Sequence, residues 1–310
     1  MLQFPKEFFE PEIKLNFEIS SKMKHVWAME IEILEEIARI CKKYNIMYFA
    51  DCGTLLGAVR HSGFIPWDDD IDIAMKRDDY KKFFAVAEKE LPEKWILCNI
   101  YSDKTNEWDA TYGRITNGNI IGTNEDHLKE NHGCPYIVGI DIFPLDYFPK
   151  EKDEAECVCR LMQYIMETEW KVKQGIAEGL EMMLCDIEEM CKIALDRGEM
   201  LLRQLLQLRD ALGSMYAESE AEELVSATCT RIISEMPHYN KEWYAGNIYM
   251  PFQNILISVP VGYDQILKVR YGDDYMIPKQ EYNGHDYPFY KWQDEIIRNS
   301  LDKEKEWKKI

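Results

Sequence analysis

Between residues 25 and 44, Val26, Met29, Ile33, Ile37 and Ile40 recur every three or four positions among Glu and Lys, a spacing that predicts an amphipathic helix. Residues 46–50 follow as an apolar run of strand length, and Gly53 opens a short helix over 53–60. Behind Pro66, residues 70–75 alternate Asp with apolar side chains, the period of a strand. Residues 78–91 return to helical spacing, with Tyr80, Phe83, Phe84 and Ala87 on one face. Further strands are expected at 95–100, 112–116 and 137–143, separated by Gly and Asn turns. Residues 154–236 have almost no Pro, few Gly and dense Leu, Met, Glu and Ala, which predicts two or three helices broken near 175–179 and Gly213. From residue 237 the chain is again rich in aromatics and Gly, with strands at 248–250 and 255–259. The pattern predicts an α+β protein in three parts: a core over 1–150, a helical module over 151–236 packed on it, and a C-terminal part over 237–310 packing back on the core. There is no internal repeat.

Composition narrows the class. The hydrophobic fraction of 46% and aromatic fraction of 12% belong to a folded protein. No apolar run approaches the ~20 residues that cross a bilayer. The first sixteen residues lack the basic start and apolar stretch of a secretory signal, so no transmembrane segment and a cytoplasmic location are expected. The nine cysteines are scattered, and Cys157-Val-Cys159 lacks the gap of a zinc knuckle, so reduced and mostly buried thiols are expected. The net charge of −19 repels DNA, RNA and anionic lipid, whose phosphates need the opposite sign. A nucleotide still fits a pocket where metal ions and a few Arg or Lys invert the local field. Residues 151–235 hold 19 acidic and 9 basic residues, just over half of the excess.

The most unusual stretch is Trp67-Asp68-Asp69-Asp70-Ile71-Asp72-Ile73. On a strand, Asp70 and Asp72 point the same way, about 7 Å apart, while Ile71 and Ile73 pack behind them. Two such carboxylates repel unless a positive charge lies between them, and a hard divalent cation, Mg²⁺ or Mn²⁺, resolves this. A second carboxylate on an apolar strand, in Gly139-Ile140-Asp141-Ile142-Phe143, would complete a three-carboxylate metal site if the strands are neighbours. Asp146, beyond Pro144, is an alternative third ligand or a supporting group. An isolated acidic run is more often a solvated loop, but alternation with isoleucine requires this one to bury a face.

Upstream, Asp51-Cys52-Gly53-Thr54 leads a strand into a helix whose first N–H groups are free to take an anion. Thr54 adds a hydroxyl, and Arg60 at the helix end can clamp a phosphate bidentately. Glycine at such a turn is often only a backbone requirement, and His61 reads as structural or supporting.

The stretch "YFADCGTLLGAVRHSGFIPWDDDIDI" over 48–73 resembles the signature of the LicD family, within the polymerase-beta-like nucleotidyltransferase superfamily. "GIDIFPLDYFP" over 139–149 is similar to its second block, and "VPVGYDQILKVRYGDDYMIP" over 259–278 to its C-terminal block. The helical stretch 151–236 carries no motif of the family. The resemblance implies a mixed nucleotidyltransferase-like sheet with flanking helices, and an enzyme, a phosphotransferase moving phosphocholine or a similar phospho-alcohol. The implied donor is a CDP-alcohol or other nucleotide-activated compound, and the implied acceptor a hydroxyl of a cell-surface glycan or glycolipid.

By the same resemblance Asp70, Asp72 and Asp141 are catalytic metal ligands, and Asp141 accepts the proton of the attacking hydroxyl. Asp68 and Asp69 either approach the metal or shape the turn. Gly53, Thr54 and Arg60 position the phosphates. Arg270, close to Lys268, binds substrate or pairs with the acidic surface. Trp67, Trp108 and Tyr112 are candidates for caging a choline group. Two rivals remain: a strict nucleotidyltransferase that moves an NMP and releases pyrophosphate, and a non-catalytic relative that binds a ligand.

Overall fold

The computed structural model describes residues 1–102, 108–226, 233–280 and 287–307. A hairpin of β1 (Glu12–Lys14) and β2 (Phe17–Ile19) leads into the long helix α1 (Ser21–Tyr44). The Ser20 side chain caps α1 by accepting from the Met23 N–H, and Asn45, in the left-handed region, ends it. Then come β3 (Phe49–Ala50), α2 (Cys52–His61), β4 (Ile71–Lys76), α3 (Arg77–Glu90), β5 (Ile96–Cys98), β6 (Gly113–Thr116), α4 (Glu125–Glu130) and β7 (Gly139–Pro149). Three helices, α5 (Lys152–Gln174), α6 (Leu180–Cys191) and α7 (Leu201–Gly213), precede the short strands β8 (Ala221–Val225) and β9 (His238–Asn240). The chain closes with the hairpin β10 (Asn247–Phe252) and β11 (Ile255–Pro260), then α8 (Tyr263–Tyr271) and α9 (Lys291–Trp307). No helix among the described residues is long and apolar enough to cross a membrane.

The central sheet runs β3-β4-β7-β6-β5, with β8 added to β7 and β9 to β8. It is mixed: β4 and β7 are parallel, and the other pairings are antiparallel. Ile71, Ile73, Ile140, Ile142 and Ile115 are fully buried, and α1 packs its Val26, Ile33, Ile37 and Ile40 into the same core. Burying each such side chain contributes roughly 1.5–3 kcal/mol, so the alternation in β4 and β7 is strongly enforced. Slipping either strand by one residue would exchange isoleucines for aspartates.

Three expectations need correction. Helices fill only 152–213 of the 151–236 stretch, because β8 breaks away to pair with the far end of β7; residues 227–232 of that stretch lie outside the described residues. Strand β7 also does not stop before Pro144. Pro144 falls between the stretch paired to β6 (139–142) and that paired to β8 (146–149), so its missing N–H costs no ladder bond on that side. The cysteines are also less buried than expected: among the described residues only Cys41 and Cys134 are fully buried.

The helices α5, α6 and α7 share a small core of Ile165, Leu184, Ile187, Leu201 and Leu205. One buried ionic knot ties them to the sheet, and a second ties α7 to α5. Arg77 at the start of α3 grips Asp146 of β7 and also reaches Asp210 of α7 at 2.8 Å. Arg209 of α7 pairs with Glu169 of α5 at 2.8 Å.

Candidate active site

The loop from α2 to β4 is fixed on several sides. The Trp27 indole N–H of α1 donates to the Asp68 carbonyl at 3.1 Å, and the Phe289 N–H donates to Asp69 Oδ2 at 2.6 Å. The Thr54 hydroxyl oxygen accepts the Asp72 N–H at 2.9 Å, tying the start of α2 to β4. A Cβ on Gly53 would lie 2.4 Å from Asp68 Oδ2, so the helix start and the acidic loop approach as closely as only glycine permits.

This packing brings Asp68, Asp69 and Asp70 together, with one carboxylate oxygen from each lying within 4.8 Å of the others. Asp72 lies one strand step further along the same cleft. In the β4–β7 register Asp72 sits directly beside Asp141, and in the β6–β7 register Asp141 sits beside Arg114. The row Asp72, Asp141, Arg114 thus crosses three strands. Arg114 forks onto both Asp141 oxygens, one of the contacts being 2.7 Å from Nη2 to Oδ2. Burial works against the Arg114 charge, yet Asp141 overrides it and holds the guanidinium pKa above its ordinary value. The donors are all carboxylate oxygens, a set that suits a hard divalent cation and not zinc or copper.

The cleft in front of these groups has a volume of about 640 Å³. Gly53, Arg60, Asp70, Asp72 and Arg270 line it; Thr54 and Asp141 do not, Thr54 being buried in the first turn of α2 against β4. Arg270 reaches from α8 to the start of α2, 2.5 Å from Cys52 Sγ, about 3 Å from the Tyr239 hydroxyl and 3.6 Å from Asp51. Arg60 donates to the Tyr275 carbonyl at 2.7 Å and to His61 Nε2 at 2.9 Å. Burial and the Arg60 charge push the His61 pKa down to about 4, so the ring is neutral and free to accept. Two guanidiniums and the first turn of α2 therefore face the carboxylates across one cleft.

Other candidates separate from this site. Asp146 is buried against Arg77 and belongs to the knot that holds α7. Lys268 makes an exposed pair with Asp264 at 2.6 Å. Trp67 lines the cleft, whereas Trp108 and Tyr112 do not; Trp108 stacks beneath Arg114. Sequence reasoning missed Arg114, although the Gly-Arg-Ile-Thr alternation of β6 placed it on the face opposite Ile115. It also missed Glu30, four residues after Val26 and three before Ile33, a charged residue on the apolar stripe of α1. Glu30 is 1% exposed; burial and then Asp70, Asp69, Asp68 and Asp72 raise its pKa well above the carboxylate range.

Residues 45–156 match the family model described as "LicD/FKTN/FKRP, nucleotidyltransferase domain". The chain is also 26% identical over 266 residues to the lipopolysaccharide cholinephosphotransferase LicD of Haemophilus influenzae, an alignment spanning 81% of this chain and 90% of that protein. Residues 45–156 thus carry a LicD-family domain. Uncharacterized proteins of Rickettsia prowazekii and Rickettsia typhi share 46% identity with it over 48 residues, 16% of this chain. The LicD match contains Gly53, Arg60, Asp68 to Asp72, Arg114 and Asp141, and leaves out Glu30 of α1 and Arg270 of α8.

Proposed function

We propose that this protein is a metal-dependent transferase that moves a phosphocholine-type group from a CDP-activated donor to a hydroxyl of a cell-surface glycan or its lipid-linked precursor. The observation that carries this reading is the pairing of opposites across one cleft, with carboxylates on β4 and its preceding loop, and Arg60, Arg270 and the start of α2 facing them. A nucleoside diphosphate ester needs both. Its oxygens find donors on the cationic side, and Mg²⁺ or Mn²⁺ held by Asp70 and Asp72 would neutralise the diphosphate charge. The similarity to a cholinephosphotransferase supports the choice of cargo.

Arg270 and Arg60 bind phosphate oxygens and, with the Gly53 turn, hold the diphosphate in line for attack. Asp141 takes the proton as the acceptor oxygen bonds to phosphorus and the bond to the CMP oxygen breaks. Arg114 holds both Asp141 oxygens and so fixes that carboxylate on the strand beside Asp72. Positioning and electrostatics supply most of the acceleration.

The test is to incubate the protein with CDP-choline, Mg²⁺ or Mn²⁺, and a glycolipid acceptor, and to identify the leaving group. Release of CMP with choline phosphate on the acceptor is expected. Release of pyrophosphate from an NTP instead would make the protein a nucleotidyltransferase in the strict sense.

A further inference from the structure

Glu30 lies at the centre of α1, 1% exposed, and its Oε2 has no hydrogen-bond partner among the described residues. A buried carboxyl oxygen left unsatisfied costs roughly 1–3 kcal/mol, and more if it is charged. Its surroundings make this harder to explain as packing. One turn earlier on the same helix, Trp27 donates to the Asp68 carbonyl, so this face of α1 forms the floor under the acidic loop. The charges that act on Glu30 are those of Asp70, Asp69, Asp68 and Asp72, all of its own sign. A leucine at this position would fill the space without that cost. The helix instead buries a carboxyl within electrostatic reach of four aspartates, at a point where the apolar stripe of α1 calls for a hydrophobic residue.

We propose that Glu30 belongs to the divalent-cation site, closing it from beneath, and that Oε2 gains its partner only when the cation is bound. This rests on the metal-dependent reading above and extends it to a residue outside the matched domain, on a helix that carries none of the acidic motif. The role is one of holding the ion and the acidic loop in place; no contact with the nucleotide or the acceptor is implied.

The experiment is calorimetric titration of the intact protein with Mn²⁺, alone and with CDP present, for the wild type, Glu30→Gln and Asp70→Asn. Glu30→Gln keeps the shape and removes the ionisable carboxyl, and Mn²⁺ affinity should fall by about 10–100-fold, the range seen when a group supporting a metal site is removed. Without metal, the same variant should melt at or above the wild-type temperature, since Gln keeps the shape of the buried side chain and cannot become a like charge beside the aspartates. If the wild type binds Mn²⁺, Asp70→Asn does not, and Glu30→Gln binds within twofold of the wild type, the Glu30 assignment is overturned and the metal site stands. If the folded wild type binds no Mn²⁺ with or without CDP, both readings fall. Should Glu30→Gln not fold, as judged by circular dichroism, Glu30→Asp takes its place. That variant draws the carboxyl back by one methylene and should still lose several-fold in affinity; unchanged affinity would overturn the proposal.

Discussion

Within the cleft, single atoms decide what the site can do. Asp72 stands two residues after Asp70 of the preceding loop and beside Asp141 across the sheet, so it lies between two like charges. Changing Asp72 to Asn should abolish turnover while leaving the melting temperature of the metal-free protein level or higher; retained activity would remove Asp72 from the reaction. Gly53 makes a second case. A methyl group there would meet Asp68 Oδ2 at 2.4 Å, and Asp68 is too short to swing clear without leaving the cluster. We expect Gly53→Ala to cost about 1–3 kcal/mol in stability and to weaken Mn²⁺ binding at least tenfold, read by urea denaturation and calorimetry on the same sample. His61 adds a pH signature. Its folded pKa of about 4 lies below the ordinary histidine value, so between pH 6.5 and 4 the unfolded chain holds more protons. Stability therefore falls as the pH drops through that window, and protonation also removes the acceptor that steadies Arg60. Denaturation at pH 7 and pH 4.5 should show a smaller difference for His61→Gln than for the wild type.

At the level of elements, the parts that were legible in the sequence share a physical cause. β4, β7 and α1 each bury one face, so their apolar periods print the structure directly onto the chain. That Asp141 could join the β4 carboxylates if the two strands were neighbours was legible, because both alternate Ile with Asp; that they are neighbours, in the register that sets Asp72 beside Asp141, was not. Strand β8 was not legible. Ala221–Val225 is five residues long with only three buried, and it is a strand because β7 offers it an edge. Arg114 and Glu30 escaped for a related reason, since their significance lies in neighbours more than twenty-five residues away. The tightest carboxylate group also differs from the expected one, being Asp68, Asp69 and Asp70, because the Trp27 and Phe289 bonds curl the loop before the strand begins. The ionic knots belong to this scale as well. Arg77→Met leaves Asp146 and Asp210 buried without their cation, which should destabilise the protein by about 3–5 kcal/mol in urea denaturation.

The whole molecule carries a charge of −19, yet the proposed donor is itself an anion. Far from the cleft the field opposes approach; inside it, Arg60, Arg270 and the start of α2 reverse the sign. Salt screens the long-range part first, with a Debye length of about 30 Å at 0.01 M and about 8 Å at 0.15 M. We therefore expect kcat/KM for the nucleotide donor to rise as ionic strength increases over that range, the opposite of an electrostatically steered enzyme; a steady fall would show that the cleft field dominates at a distance.

One strand also sets the terms on which parts of this protein can be exchanged. β7 carries Asp141 in the reacting row and, five residues on, roughly 17 Å at strand rise, Asp146 in the knot with Arg77 and Asp210. A segment over 152–213 transplanted from a relative would arrive with its own internal core. To function here it must also bring a carboxylate to the place of Asp210. Without one, the recipient inherits a buried guanidinium with one of its two acids missing, at the root of the strand that aims Asp141.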